Sequence, residues 1–231
     1  MQRTTTALRF CMLALSCAVL SAAAQVAPRP DEMARYEGLH AAAQKGDLPR
    51  IAALVESRAE LNRRDTMGRT PLHVATFARQ RGAITALAKA GADLSALESD
   101  RYDAVTIASV ADDEDTLKLL LALGASAKLV TSRYDGTALI AAAHLGHAGV
   151  VRQLIQAGAP LDHVNNLHWT ALIEAIVLGD GGTRHQDCVR ALLAAGADTR
   201  LVDREGRSPL ALAQARGYVQ MVRLLQDAGA K

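Results

Sequence analysis

The chain has 231 residues, half of them apolar but only 3% aromatic, with 26 basic residues against 24 acidic ones and a net charge of +2. That suffices for one or two domains with a buried core, built mostly from Ala and Leu, which favour helices and let them pack closely. The near balance of charge excludes the basic footprint of a nucleic-acid or anionic-membrane binder.

In chain order, Arg3 and Arg9 precede an apolar run from Phe10 to Leu20, and Ala22-Ala23-Ala24 supplies the small residues of a cleavage site. Residues 1–24 are therefore expected to be a signal peptide that directs export, most naturally to the periplasm, and to take no part in the fold. The run is shorter than the roughly 20 residues of a membrane span. Ala14-Leu15-Ser16-Cys17 is a poor lipidation motif because its Leu stands one place late, so no lipid anchor at Cys17 is expected. Losing Arg3 and Arg9 leaves 24 basic residues, equal to the acidic count, and losing Cys11 and Cys17 leaves Cys188 with no partner for an internal disulfide. Residues 25–34 read as an N-terminal linker.

From residue 35 onward the sequence repeats itself. Gly91-Ala92, Gly124-Ala125, Gly158-Ala159, Gly196-Ala197 and Gly229-Ala230 recur at spacings of 33, 34, 38 and 33 residues. Segments such as "VVRQLIQAG" and "MVRLLQDAG" precede them, amphipathic helices ended by a glycine that takes positive φ at little cost. A second helix begins earlier in each unit, at Glu37, Thr70, Asp103, Thr137, Thr170 and Ser208. Five of these are N-cap types, and Pro71 and Pro209 follow at the first helical position, which tolerates proline.

The stretches "GRTPLHVA" (68–75), "LHAAAQKGD" (39–47), "DGTALIAAAHLGHAGVVRQLIQAGA" (135–159) and "EGRSPLALAQARGYVQMVRLLQDAGA" (205–230) resemble ankyrin repeats. The resemblance covers residues 35–231 as six units. It implies an all-α solenoid of helix-turn-helix units joined by β-hairpin-like turns, the first and last acting as caps. Departures carry their own expectations. Arg58 stands where the first unit should have its glycine stop, and Gln226 gives the last unit a wettable outer position. The third unit, with Asp103-Ala104 for Thr-Pro and no turn glycine, should have a distorted hairpin. The fourth has one extra residue around Leu129 to Ser132, and the fifth has five in "GDGGTRHQD" (179–187), which Gly181-Gly182 should make a flexible loop.

The resemblance further implies that the turns project as fingers and, with the first helices, form a concave surface that binds a protein partner. It places Arg69, Tyr102 and Trp169 at fingertips, Arg133 and Tyr134 in the fourth turn, and Arg204 and Arg207 in the sixth. Phe77, His144 and Leu145 fall at the ends of first helices on the same face. Tyr, Trp and Arg dominate interface hot spots; the competing reading folds Trp169 back as local packing. His40 and His73 occupy the family's structural histidine position, and His147 the Gly-His opening a second helix. Cys188 follows a core series with Ala83, Thr116, Val150 and Met221, and the acidic run Asp112–Asp115 reads as a helix cap.

No nucleophile-base pair, phosphate loop or ligand spacing is present in the sequence, so the chain is expected to be a monomeric, non-catalytic scaffold without cofactor. Two alternatives stay open: a metal or small-molecule accessory protein using His144, His168 and His185 with the fifth-unit insertion, and a self-assembling structural subunit.

Overall fold

The computed structural model describes residues 27–231; the expected signal peptide lies outside the described residues. A short helix, α1 (Pro30–Met33), precedes six helix pairs. These are α2 (Gly38–Lys45) with α3 (Leu48–Glu56), α4 (Pro71–Phe77) with α5 (Arg81–Lys89), and α6 (Ala104–Val110) with α7 (Glu114–Ala122). There follow α8 (Ala138–Leu145) with α9 (Ala148–Gln156), α10 (Ala171–Val177) with α11 (Thr183–Ala194), and α12 (Pro209–Ala215) with α13 (Val219–Asp227). First helices stack on first helices and second on second, giving a two-layered all-α solenoid.

Most of these helices are shorter than the 12 or so residues an isolated helix needs, so inter-unit packing has to hold them. Small residues make that packing close: Ala42, Ala75, Ala108, Ala142, Ala175 and Ala213, one per first helix, are all buried. Three places before each lies a larger core residue, Leu39, Leu72, Val105, Leu139, Leu172 or Leu210. Second helices contribute Leu87, Leu120, Leu154, Leu192 and Leu225, each fully buried.

The boundaries follow the expected chemistry. Thr70, Asp103, Thr137, Thr170 and Ser208 each accept the N–H of the third helical residue, whereas Glu37 makes no side-chain cap. At the second-helix stops the chain turns left-handed, with Arg58 (φ 58°) doing what Gly91 (φ 97°) and its equivalents do.

Two local expectations are corrected. The third hairpin is not distorted: the Glu98 N–H donates to Tyr102 O (3.0 Å), as Asp65 does to Arg69 (3.0 Å) in the preceding turn, and Arg101 itself takes φ 66° where a glycine was expected. The fifth-unit insertion is not a loose loop, because most of it extends α11 to 12 residues against nine in every other second helix. Asp180 Oδ1 accepts from Gly182 N (2.8 Å), and the Tyr218 hydroxyl donates to Gly179 O (2.9 Å). A Cβ on Gly181 would lie 2.6 Å from the Tyr218 ring, so this glycine serves close approach as well as its positive φ. In the fourth turn the extra residue is taken up by a two-stranded antiparallel ribbon, β1 (Val130–Thr131) and β2 (Gly136–Thr137).

Candidate functional site: the finger row

Every finger is built by one device. The residue five places before the N-cap accepts the N–H groups two and four residues later. Asp65 Oδ1 takes those of Met67 (2.9 Å) and Arg69 (2.8 Å); Glu98 Oε1 those of Asp100 and Tyr102 (both 3.0 Å). Ser132 Oγ takes those of Tyr134 (3.2 Å) and Gly136 (3.4 Å), and Asp203 Oδ1 those of Glu205 (3.1 Å) and Arg207 (2.8 Å). In the fifth finger Asn165 Oδ1 receives Leu167 and Trp169, both at 3.0 Å. These local side-chain bonds satisfy donors that no strand ladder reaches.

Neighbouring fingers are joined through backbone. Ser99 N donates to Met67 O (3.0 Å), Ser132 N to Arg101 O (3.0 Å) and Asn166 N to Tyr134 O (2.9 Å). The Arg204 guanidinium reaches Asn166 O (2.7 Å) from the sixth finger. The row is therefore a continuous hydrogen-bonded edge.

The expected site residues fall into three groups. Arg133, Arg204 and Arg207 are exposed, and Tyr102 and Tyr134 half-buried, along this edge. Arg133 pairs with Asp100 (2.5 Å), which holds its guanidinium above the ordinary range, and Arg207 pairs with buried Asp203 (2.6 Å). Phe77, His144 and Leu145 are half-buried at the ends of α4 and α8. Trp169 is half-buried and packs against the core, so part of its indole serves local packing and part stays accessible.

Arg69 is a correction. It is 1% exposed, and its guanidinium is bonded by Asp65 (2.7 Å) and Glu32 (2.8 Å), so it is not available at a fingertip. Burial works against its charge, but the two carboxylates outweigh that and hold it above its ordinary value. Tyr36 donates to the same Asp65 (2.8 Å); burial and that carboxylate raise its hydroxyl above the usual range. The segment expected to be a linker thus contributes Glu32 to a buried ion network, and Tyr36, just beyond it, completes that network.

The histidines are engaged structurally. His73 Nδ1 accepts from Thr70 N (3.1 Å), and its Nε2 faces Tyr102 O (3.2 Å); burial pushes its pKa down to about 4. His40 Nε2 faces Arg69 O (2.9 Å), and His147 Nδ1 faces Ser109 O (2.9 Å). His185 bridges His144 O and Asp180, both at 2.9 Å, whereas His168 sits exposed on the fifth finger. No group of three or more His, Cys, Asp or Glu residues among the described residues is placed to hold a metal ion, which leaves the metal alternative without support. Cys188 is fully buried, with its thiol pushed up to about 12 by burial, so it acts as a small core residue.

Sequence reasoning missed Tyr36, Asn165 and Glu174. Counting back from the N-caps would have found Tyr36, which stands in line with Arg69, Tyr102 and Trp169. Glu174, only 5% exposed, is the one charged member of a series otherwise made of Ala41, Val74, Ile107, Ala141 and Leu212.

Comparison with known proteins agrees with this architecture. The family model for "Ankyrin repeats (3 copies)" matches residues 14–98 and 105–201. The putative ankyrin repeat protein YahD of Escherichia coli K12 is 34% identical over 190 residues, covering 82% of this chain and 94% of that one. An ankyrin repeat domain from Acinetobacter baumannii AYE has 43% identity and a TM-score of 0.79, covering 84% of this chain and 98% of its own. The ankyrin repeat domain of Bcl-3 has 29% identity and a TM-score of 0.76, covering 85% and 88%. Such domains generally mediate protein–protein interaction and are typically non-catalytic. Among the described residues no helix is long and apolar enough to cross a membrane. With six stacked helix pairs and matches spanning most of its length, this chain belongs to the ankyrin-repeat family.

Proposed function

We propose that this protein is a non-catalytic scaffold that, after export to the periplasm, binds a protein partner along its finger row and the adjoining ends of its first helices. The observation that carries this reading is the set of accessible aromatic and arginine side chains, Tyr102, Tyr134, Trp169, Arg133, Arg204 and Arg207, on one hydrogen-bonded edge. Aromatic and arginine anchors supply most of the binding energy at protein interfaces. An edge cross-linked by backbone bonds loses little conformational entropy on docking.

The test is affinity capture from an envelope extract with tagged residues 25–231 beside a Tyr134→Ala, Trp169→Ala double variant. A protein retained by the first and lost by the second supports the reading and names the partner. Equal retention by both would move the interface off this edge, and capture by neither would favour self-assembly, which sedimentation at several concentrations then tests.

A further inference from the structure

We propose that Glu174 is a positioning residue for the fifth finger: it fixes the orientation of the Asn165 amide and, through it, where the Trp169 indole is presented. The Asn165 side chain donates from Nδ2 to Glu174 Oε1 (2.8 Å), while its Oδ1 accepts the Leu167 and Trp169 N–H groups (3.0 Å each). An amide has one accepting end and one donating end, and a half-turn about its terminal bond exchanges them. Turned that way, Asn165 would set its NH₂ against two N–H donors and leave the finger unsupported. The Glu174 carboxylate, 5% exposed, can only accept, so it selects the supporting orientation.

The pairing is confined to this unit. The other fingers are held by Asp65, Glu98, Ser132 and Asp203, whose carboxylates or hydroxyl accept whichever way they turn and need no reference. Their first helices accordingly carry Val74, Ile107, Ala141 and Leu212 where α10 carries Glu174. The acceptor's charge also bears on what stands before the N-cap, although Glu98 has Tyr102 there and no arginine. Asp65 and Asp203 draw an arginine, Arg69 or Arg207, into an ion pair at the place Trp169 occupies. Neutral Asn165 offers no such pair, and an indole takes the position. Glu174 Oε2 lies 3.4 Å from His144 Nδ1, which ties the arrangement to the preceding unit.

The bearing of this on binding rests on the reading above, but its test involves no partner, so the two can fail separately. Trp169 is the chain's single tryptophan, and its fluorescence therefore reports this finger alone. In Glu174→Ala we expect a shifted emission maximum, stronger acrylamide quenching, and exchange of the Trp169 and Leu167 amides faster by about fivefold, the loss of roughly one hydrogen bond's support. Glu174→Gln keeps an acceptor for Asn165 Nδ2 and should restore the wild-type spectrum. If Glu174→Ala does not fold, Glu174→Leu, the residue type of Leu212 at the same position of α12, serves instead, and the same changes are expected. Wild-type fluorescence and exchange in the folded variant, or a Gln variant shifted as far as the Ala variant, would overturn the assignment.

Discussion

Replacing Asp103 by Thr should stabilise the protein near neutral pH, and by an amount that depends on pH. Asp103 is 1% exposed at the N-cap of α6. Its Oδ1 accepts from Thr106 N (2.8 Å) and Thr106 Oγ1 (2.5 Å), but Oδ2 is buried with no partner. A buried acceptor left unmatched costs about 1–3 kcal/mol. Thr at this position, as in Thr70, Thr137 and Thr170, caps the helix with one oxygen and leaves none over. The lost bond to the Thr106 hydroxyl offsets roughly 1 kcal/mol, and that hydroxyl still has Thr131 Oγ1 at 3.2 Å. The net expectation is a gain of about 1 kcal/mol, or some 2–4 °C in Tm for a domain of this size. Burial raises the Asp103 pKa above its ordinary 3.8, against the lowering effect of the Thr106 bonds. The folded state therefore binds more protons than the unfolded one between 3.8 and that raised value, and the wild type gains stability as pH falls through it. The advantage of Asp103→Thr should shrink over the same interval. Urea titrations followed by far-UV circular dichroism at several pH values measure both effects. A less stable variant at neutral pH, or a difference that does not change with pH, would refute the reasoning.

Leu154→Ala, at a fully buried second-helix position, should cost about 2–5 kcal/mol in the same titration; negligible loss would discredit the alignment of units. Gly181→Ala should destabilise more than Gly206→Ala, because both have positive φ but only Gly181 faces a ring at 2.6 Å, while Gly206 faces open space. Equal thermal shifts for the two would show that Tyr218 yields freely. His73 is held near 4 against an ordinary 6.5, so the folded state binds fewer protons between those values and stability is lost as pH falls below 6.5. The shift corresponds to roughly 3 kcal/mol at 1.4 kcal/mol per unit, and His73→Ile, the residue type of Ile140 and Ile173, should remove that part of the acid sensitivity in pH-dependent denaturation.

The repeat, the helix pairs and their caps were legible because each rests on a local rule that recurs in at least five of the six units. A threonine before an apolar helix or a glycine after one has the same meaning in every unit, and recurrence raises weak signals to strong ones. What was misjudged depended on contacts between units. Arg69 looks like a fingertip residue by position, yet Glu32 comes from 37 residues earlier to bury it. The glycines of the fifth insertion suggested a loose loop, but Tyr218 packs over it from the next unit and His185, within it, bonds back to His144 O in the preceding one. The third finger lacks its glycine, and only the Glu98 carboxylate, one methylene longer than its Asp counterparts, shows how the same bonds are kept.

The departures from the family's usual residues are not spread evenly. At the left-handed finger position the second and sixth units have Gly68 and Gly206, while the three between have Arg101 (φ 66°), Asp135 (φ 52°) and His168 (φ 63°). A side chain there costs about 1–2 kcal/mol in backbone strain, which persists only where the surroundings hold it. The same middle units contain the unmatched Asp103 carboxylate and the Asn165–Glu174 pair, whereas the flanking fingers rest on the Asp65–Arg69 and Asp203–Arg207 ion pairs. Residues chosen for stability alone would repeat the flanking pattern throughout. The costlier choices gather beneath Tyr102, Tyr134 and Trp169, in accord with the proposed contact being centred on the third to fifth fingers with Arg204 and Arg207 of the sixth at its edge.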